Sequence, residues 1–177
     1  LGEYCQYLHT GEPLFLTVGS DSTFYHPPTT NQLNHYLTQI PEDFEMCFKV
    51  WEEITIPRFA NHVRYDPKAG QPNPRFLDAK LFNDLVLAPY RETKFEPHMG
   101  PFIFEFQRHG LTSEEFCSRL DQFLGQLPND FRYAVETRNA DLLGQDYLKV
   151  LECHGVAHVY NHWSYMPPLL QQHKQME

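Results

Sequence analysis

At 177 residues with a formal net charge of -9, the chain is long enough for one sizeable core, and it is too acidic to suit a nucleic-acid backbone or an anionic membrane surface. A hydrophobic fraction of 41% and an aromatic fraction of 15% fit a globular protein. No apolar run is long enough to span a bilayer, and a single domain over residues 1–177 is the expectation.

Taken in order, Leu1–Leu8 reads as the end of a helix and Pro13–Ser20 as a strand, with Asp21–Pro28 as the loop after it. Thr29 or Thr30 can cap a helix to about Ile40, where Pro41 stops it. Phe44–Trp51 alternates, with Met46, Phe48 and Val50 on one face and Cys47, Lys49 and Trp51 on the other. A long polar loop, Ile54–Arg75, carries His62, Arg64, Tyr65 and Lys68, a candidate lid or basic rim for an anionic ligand. Asp78–Ala88 reads as a helix ended by Pro89, with Leu81, Phe82 and Leu85 on its apolar face.

Pro101–Gln107 is the next strand. Phe102, Phe104 and Phe106 share one face; Ile103, Glu105 and Gln107 share the other. Thr112 and Glu115 form a capping box that opens a helix through Leu127. Phe131–Asn139 repeats the two-faced pattern, with Tyr133, Val135 and Thr137 opposite Ala134, Glu136 and Arg138. Asp141–His154 reads as a helix closed by Gly155 in a left-handed cap. In the final strand, Val156–His162, Ala157 and Val159 suit a helix layer, which leaves His158, Tyr160 and His162 opposite. Leu169–Met176 begins a further helix.

Alternating strands and helices imply βαβ units and a parallel sheet. A doubly wound sheet would favour apolar strands buried on both faces. A (β/α)-barrel tolerates polar residues on the inner face near the strand C-termini, so the expected class is α/β, a TIM-type barrel. About five of the eight units are present by this count, which predicts an open arc whose edges are the strands near Leu14–Ser20 and Val156–His162. Four scattered cysteines, Cys5, Cys47, Cys117 and Cys153, make no C-x-x-C pair. They favour a reduced, cytoplasmic protein without a structural disulfide. No signal peptide is expected, and a start at Leu1 suggests a trimmed N-terminus.

The ordered set DSTFYHPP, FEMCFKV, GPFIFEF, LPNDFRYAVETRN and HGVAHVYNHWSYMP resembles the YecE-like family, domain of unknown function 72 (DUF72). The stretch HVRYDPKAG through NPRFLDAKLF is similar to one of its subgroups. The resemblance implies a TIM barrel of the bacterial and archaeal type, longer than this chain, and implies no activity. Gly19 stands where many relatives carry Glu, and Asp21 where many carry Asn.

By alternation, Lys49, Glu105 and Glu136 gather at the polar mouth as candidate acid–base groups, the lysine as base, Schiff-base former or counter-ion. Asp21, Tyr25, Gln107, Arg138, His158, Tyr160 and His162 are the candidate ligand contacts, with Arg138 suited to a carboxylate or phosphate. The expected partner is a small polar or anionic molecule. The bland alternative is a structural ion-pair network within the barrel. A metal held by His158, His162, Glu105 and Glu136 is possible but not favoured, since no H-x-H or HExxH signature is present. His154 reads as a structural residue at a helix C-terminus.

Overall fold

The computed structural model describes residues 1–176. Its centre is a five-stranded sheet, parallel throughout, formed by β1 (Thr17–Ser20), β2 (Glu45–Lys49), β3 (Met99–Phe106), β4 (Tyr133–Thr137) and β5 (Ala157–His158). The strands lie in sequence order, each beside the next, so β1 and β5 are the two edges. This is the α/β arrangement of successive βα units.

The phenylalanine face is the core. Phe48, Phe102, Phe104, Phe106 and Val135 are fully buried. They meet rings from the covering helices edge-on: Phe104 with Phe123 at 5.2 Å, Phe106 with Phe116 at 4.9 Å, and Phe102 with Tyr90 at 4.9 Å between centroids. Edge-to-face geometry suits the ring quadrupoles. The opposite face of the same strands carries Lys49, Glu105 and Glu136.

The helices follow their capping signals. Thr29 caps Thr30–Leu37 in a reciprocal box with Gln32, and Thr112 does the same for Ser113–Leu124 with Glu115. Gly155 has φ +63, the left-handed conformation that ends the Gln145–Cys153 helix. That helix starts four residues later than its pattern suggests, because Ala140–Leu142 forms a separate 3-10 turn.

Other boundaries shift. Pro13 belongs to a short hairpin, Leu8–His9 with Glu12–Pro13, and the sheet strand begins only at Thr17. The helix from Ala79 does not end at Pro89. It passes through a π-helical segment, Phe82–Leu87, and continues to Arg91 with Pro89 in the first turn of its last piece. A wide i→i+5 turn re-phases the helix, which buries Phe82, Val86, Leu87 and Tyr90 and leaves Leu85 exposed.

Gly100 marks a close approach of β2 and β3, whose register shifts between Met46 and Phe48. A Cβ there would lie 2.8 Å from both Cys47 Sγ and Met46 O. All four cysteines are free.

Phe104→Ala deletes the ring that touches Phe82, Phe123 and Tyr133. The expected loss, measured by urea denaturation, is about 3–5 kcal/mol. A loss under about 1 kcal/mol would show that this ring layer repacks freely.

Candidate functional site

Three strand ends and one loop build the site. Lys49 closes β2, Glu105 is the penultimate residue of β3, and Glu136 lies directly beside it on β4. Arg138 follows β4, tied down by its backbone N–H to Phe106 O at 2.9 Å. Asp21 and Tyr25 flank the turn Ser22–Phe24 after β1. Thr23 anchors that turn by donating its hydroxyl to Lys49 O at 2.7 Å. Parallel strands deliver all these groups to one end of the sheet, the end where βα loops gather.

Glu105 is 2% exposed. Its Oε2 lies 2.6 Å from Lys49 Nζ and 3.0 Å from Arg138 Nη2. Gln107 Nε2 donates to Oε1 of the same carboxylate. Lys49 also reaches Asp21 at 3.0 Å, and Arg138 lies 3.7 Å from Glu136. Asp21, Phe24, Tyr25, Lys49, Glu105, Gln107 and Arg138 line a pocket of about 170 Å³. Phe24, Tyr25 and Gln107 also line a larger cleft of about 1060 Å³, walled by Glu52, Tyr65 and Trp163 among others.

The electrostatics separate the roles. Burial works against the charge of Lys49, but Glu105 and Asp21 outweigh it and hold its pKa above the ordinary value. That state suits a fixed cation rather than a nucleophilic amine or a base. Burial, and then the charge of Glu105, raise the pKa of Glu136 against the pull of Lys49 and Arg138. Glu136 therefore holds its proton more tightly than an ordinary glutamate does.

The structure thus brings together Asp21, Tyr25, Lys49, Glu105, Gln107, Glu136 and Arg138. It does not bring His158, Tyr160 and His162 to them. His158 pairs with Val135, a residue of the buried phenylalanine face, so it projects toward the helices. Its Nδ1 lies 3.1 Å from the hydroxyl of Tyr147 on the Gln145–Cys153 helix. Tyr160 bonds His173 of the C-terminal helix, and His162 is exposed. The expected phase of the last strand is therefore reversed. Only two residues of Val156–His162 are strand, and the Ala134 to Ala157 register sets their direction. Among the described residues, no group able to hold a metal ion contains His158, His162, Glu105 or Glu136.

Several contributors were not legible. Glu52, 8% exposed, binds Arg64 and accepts the Tyr65 hydroxyl at 2.8 Å. Glu53 holds Lys68 at 3.0 Å. Arg64 and Lys68 of the long loop are therefore paired with acids of the helical turn after β2. Trp163 covers Arg138, whose guanidinium carbon sits 5.3 Å from the ring centroid. The only available signal was a tryptophan in a βα loop, which is weak.

The family described as "Protein of unknown function DUF72" matches residues 4–175. A DUF72 family protein from Enterococcus faecalis V583 aligns with a TM-score of 0.57 at 20% identity, over 89% of this chain and 56% of its own. A DUF72 family protein from Thermotoga maritima MSB8 aligns with a TM-score of 0.55 at 21% identity, over 81% of this chain and 49% of its own. The chain thus spans about half the length of the structures it resembles, and the likeness is one of fold. No curated protein matches it.

Two pH measurements check this electrostatic picture. A carboxyl with a raised folded pKa stabilises the fold when protonated, and that stability is lost as pH rises through the raised value. Glu136→Gln is therefore expected to match the parent near pH 4 and to unfold at higher temperature than the parent at pH 7.5; an equal or lower Tm at pH 7.5 would contradict it. Burial lowers the pKa of His158 to about 4. Its neutral form favours the fold, so its contribution is full above about 6.5 and lost as pH falls toward 4. Its ring signals in NMR should titrate near pH 4; titration near 6.5 would refute the burial.

Proposed function

The chain belongs to the DUF72 family, and on that premise we propose that it binds a small polar or anionic metabolite at the C-terminal strand face, in a domain over residues 1–177 that is part of a TIM-type barrel and works in the cytoplasm. No described helix is long and apolar enough to cross a membrane. The observation that carries the reading is the floor of the pocket. Lys49 and Arg138 are held against one buried carboxylate, Glu105, beneath an opening of about 170 Å³ that joins a much larger cleft.

A surface charge cluster would need no cavity, and a purely structural ion pair would gain nothing from one. Arg138 supplies the recognition. Its Nη2 lies 3.0 Å from Glu105, its Nη1 donates to Gln107 at 3.3 Å and its Nε faces Glu136 at 3.7 Å, while its face is covered by Trp163. Guanidinium groups match carboxylates and phosphates in a bidentate way. Lys49 supplies a fixed positive charge, and Asp21 and Tyr25 supply the wall. Glu136, 3.7 Å from Arg138 and with its pKa raised, is the proton donor in this reading, and Glu105 orients both cations.

A non-catalytic ligand-binding or protein-interaction barrel is the second reading. It is favoured by the pairing of Lys49, Glu105 and Arg138 with one another, which leaves a network already close to neutral. The two readings share a pocket and differ in turnover.

Thermal-shift and calorimetric binding across a panel of small carboxylates, phosphates and neutral polyols tests both. Binding of at least one anionic class is expected, weakened about tenfold or more by Arg138→Gln, in line with the ~1.5–3 kcal/mol of a charged hydrogen bond. Product formation lost in Glu136→Gln with binding retained marks an enzyme; saturation without product marks a binder. Binding untouched by Arg138→Gln would overturn the pocket assignment.

A further inference from the structure

At the opposite end of the sheet, two helices finish side by side. Ser113–Leu124 leads through Gly125 toward β4, and Gln145–Cys153 leads through Gly155 into β5. Asp121 lies in the last turn of the first helix. Cys153 and His154 lie at the end of the second. One ligand atom from each of the three falls within 4.8 Å of the others. His154 Nε2 is already 2.7 Å from Asp121 Oδ1.

We propose that Asp121, Cys153 and His154 form a divalent metal site of zinc type, distinct from the polar pocket. The donor set is one carboxylate oxygen, one imidazole nitrogen and one thiolate sulfur. That mixture suits a borderline ion such as Zn²⁺ and does not suit Ca²⁺ or Mg²⁺, which want oxygen throughout. Ligand lengths of about 2.0–2.3 Å place tetrahedral donors roughly 3.3–3.7 Å apart, so the donors reach the geometry by shifts of about an ångström. Three protein ligands leave a fourth position for water.

A second feature points the same way. The carbonyl end of a helix carries partial negative charge, which a basic residue in the last turn ordinarily offsets. Neither helix has one in its last turn, and the one basic group at these ends is His154, the C-cap of the second helix, already beside Asp121. A cation held between the two ends adds positive charge there and clips the helices together. Asp121 and Cys153 are exposed and His154 is half-buried, so the site is open to solvent and an ion reaches it without unfolding.

Titration of the full chain, freshly reduced, with Zn²⁺ alone tests this. One equivalent is expected by calorimetry, with a rise in Tm that the ion's preference for the folded state requires. Co²⁺ in its place should give a thiolate-to-cobalt charge-transfer band. Cys153→Ser should abolish that band, and His154→Gln should weaken binding by about 100-fold or more, since loss of even an outer-shell partner costs 10–100-fold. Cys47→Ser, in the sheet and remote from these helix ends, should change neither. Circular dichroism checks that each variant is folded; the changed side chains are at the surface. No binding, or one equivalent retained by the Asp121→Asn, Cys153→Ser, His154→Gln triple variant, overturns the site.

Discussion

Glu105 is the residue on which the site and the sheet both depend. A carboxylate that is 2% exposed is costly to bury unless its charge is met. Lys49 from β2 and Arg138 from the end of β4 meet it, so one side chain on the middle strand joins three strands. Removing one partner of a buried pair costs about 3–5 kcal/mol, because the others are left uncompensated. The same strand carries Phe104 and Phe106 on its reverse. A slip of one residue would drive Glu105 into the phenylalanine layer and the rings into the polar pocket. Charge pairing and apolar packing therefore enforce one register between them.

This coupling explains what the sequence revealed. Strands whose two faces differ sharply, such as Phe102–Gln107 and Tyr133–Arg138, announce their phase by alternation alone. Lys49, Glu105, Gln107 and Arg138 stand on the face that alternation assigns them for that reason. Val156–His162 has no such contrast: its two faces are apolar and aromatic by turns. Its direction comes from the Ala134 to Ala157 pairing and from the Tyr147 hydroxyl, contacts that adjacent residues do not encode. Glu52 and Glu53 were equally hidden. They sit on one helical turn after β2, and their partners Arg64 and Lys68 come more than ten residues later. Caps fared better, since Thr29 with Gln32 and Thr112 with Glu115 are local signals.

The segment between β2 and the helix at Ala79 gives the large cleft its outer wall. Asn73 holds it shut against the body by donating to Glu53 O and Ile56 O at 2.8 Å each. Phe59 N–H bonds Gln71 O, and Arg58 bridges to Pro72. Arg64 lies over the rings of both Tyr25 and Tyr65, with its guanidinium carbon 4.7 Å from each centroid. A loop with this many internal ties behaves as a fixed wall, so the cleft is preformed and a ligand entering it need not order the loop.

The phenylalanine layer also has an entropic side. Each of these rings removes a large apolar area from water while fixing only two side-chain torsions. A layer of leucine or methionine would freeze more rotamers for the same area. The rings of Phe48, Phe102, Phe104 and Phe106 are held edge-on by neighbours from the helices. Little freedom therefore remains in the strand that bears them. The positional sharpness of the Glu105 carboxylate is inherited from the rings on the back of its own strand, and the low configurational cost of that layer is what makes so stiff a platform thermodynamically accessible.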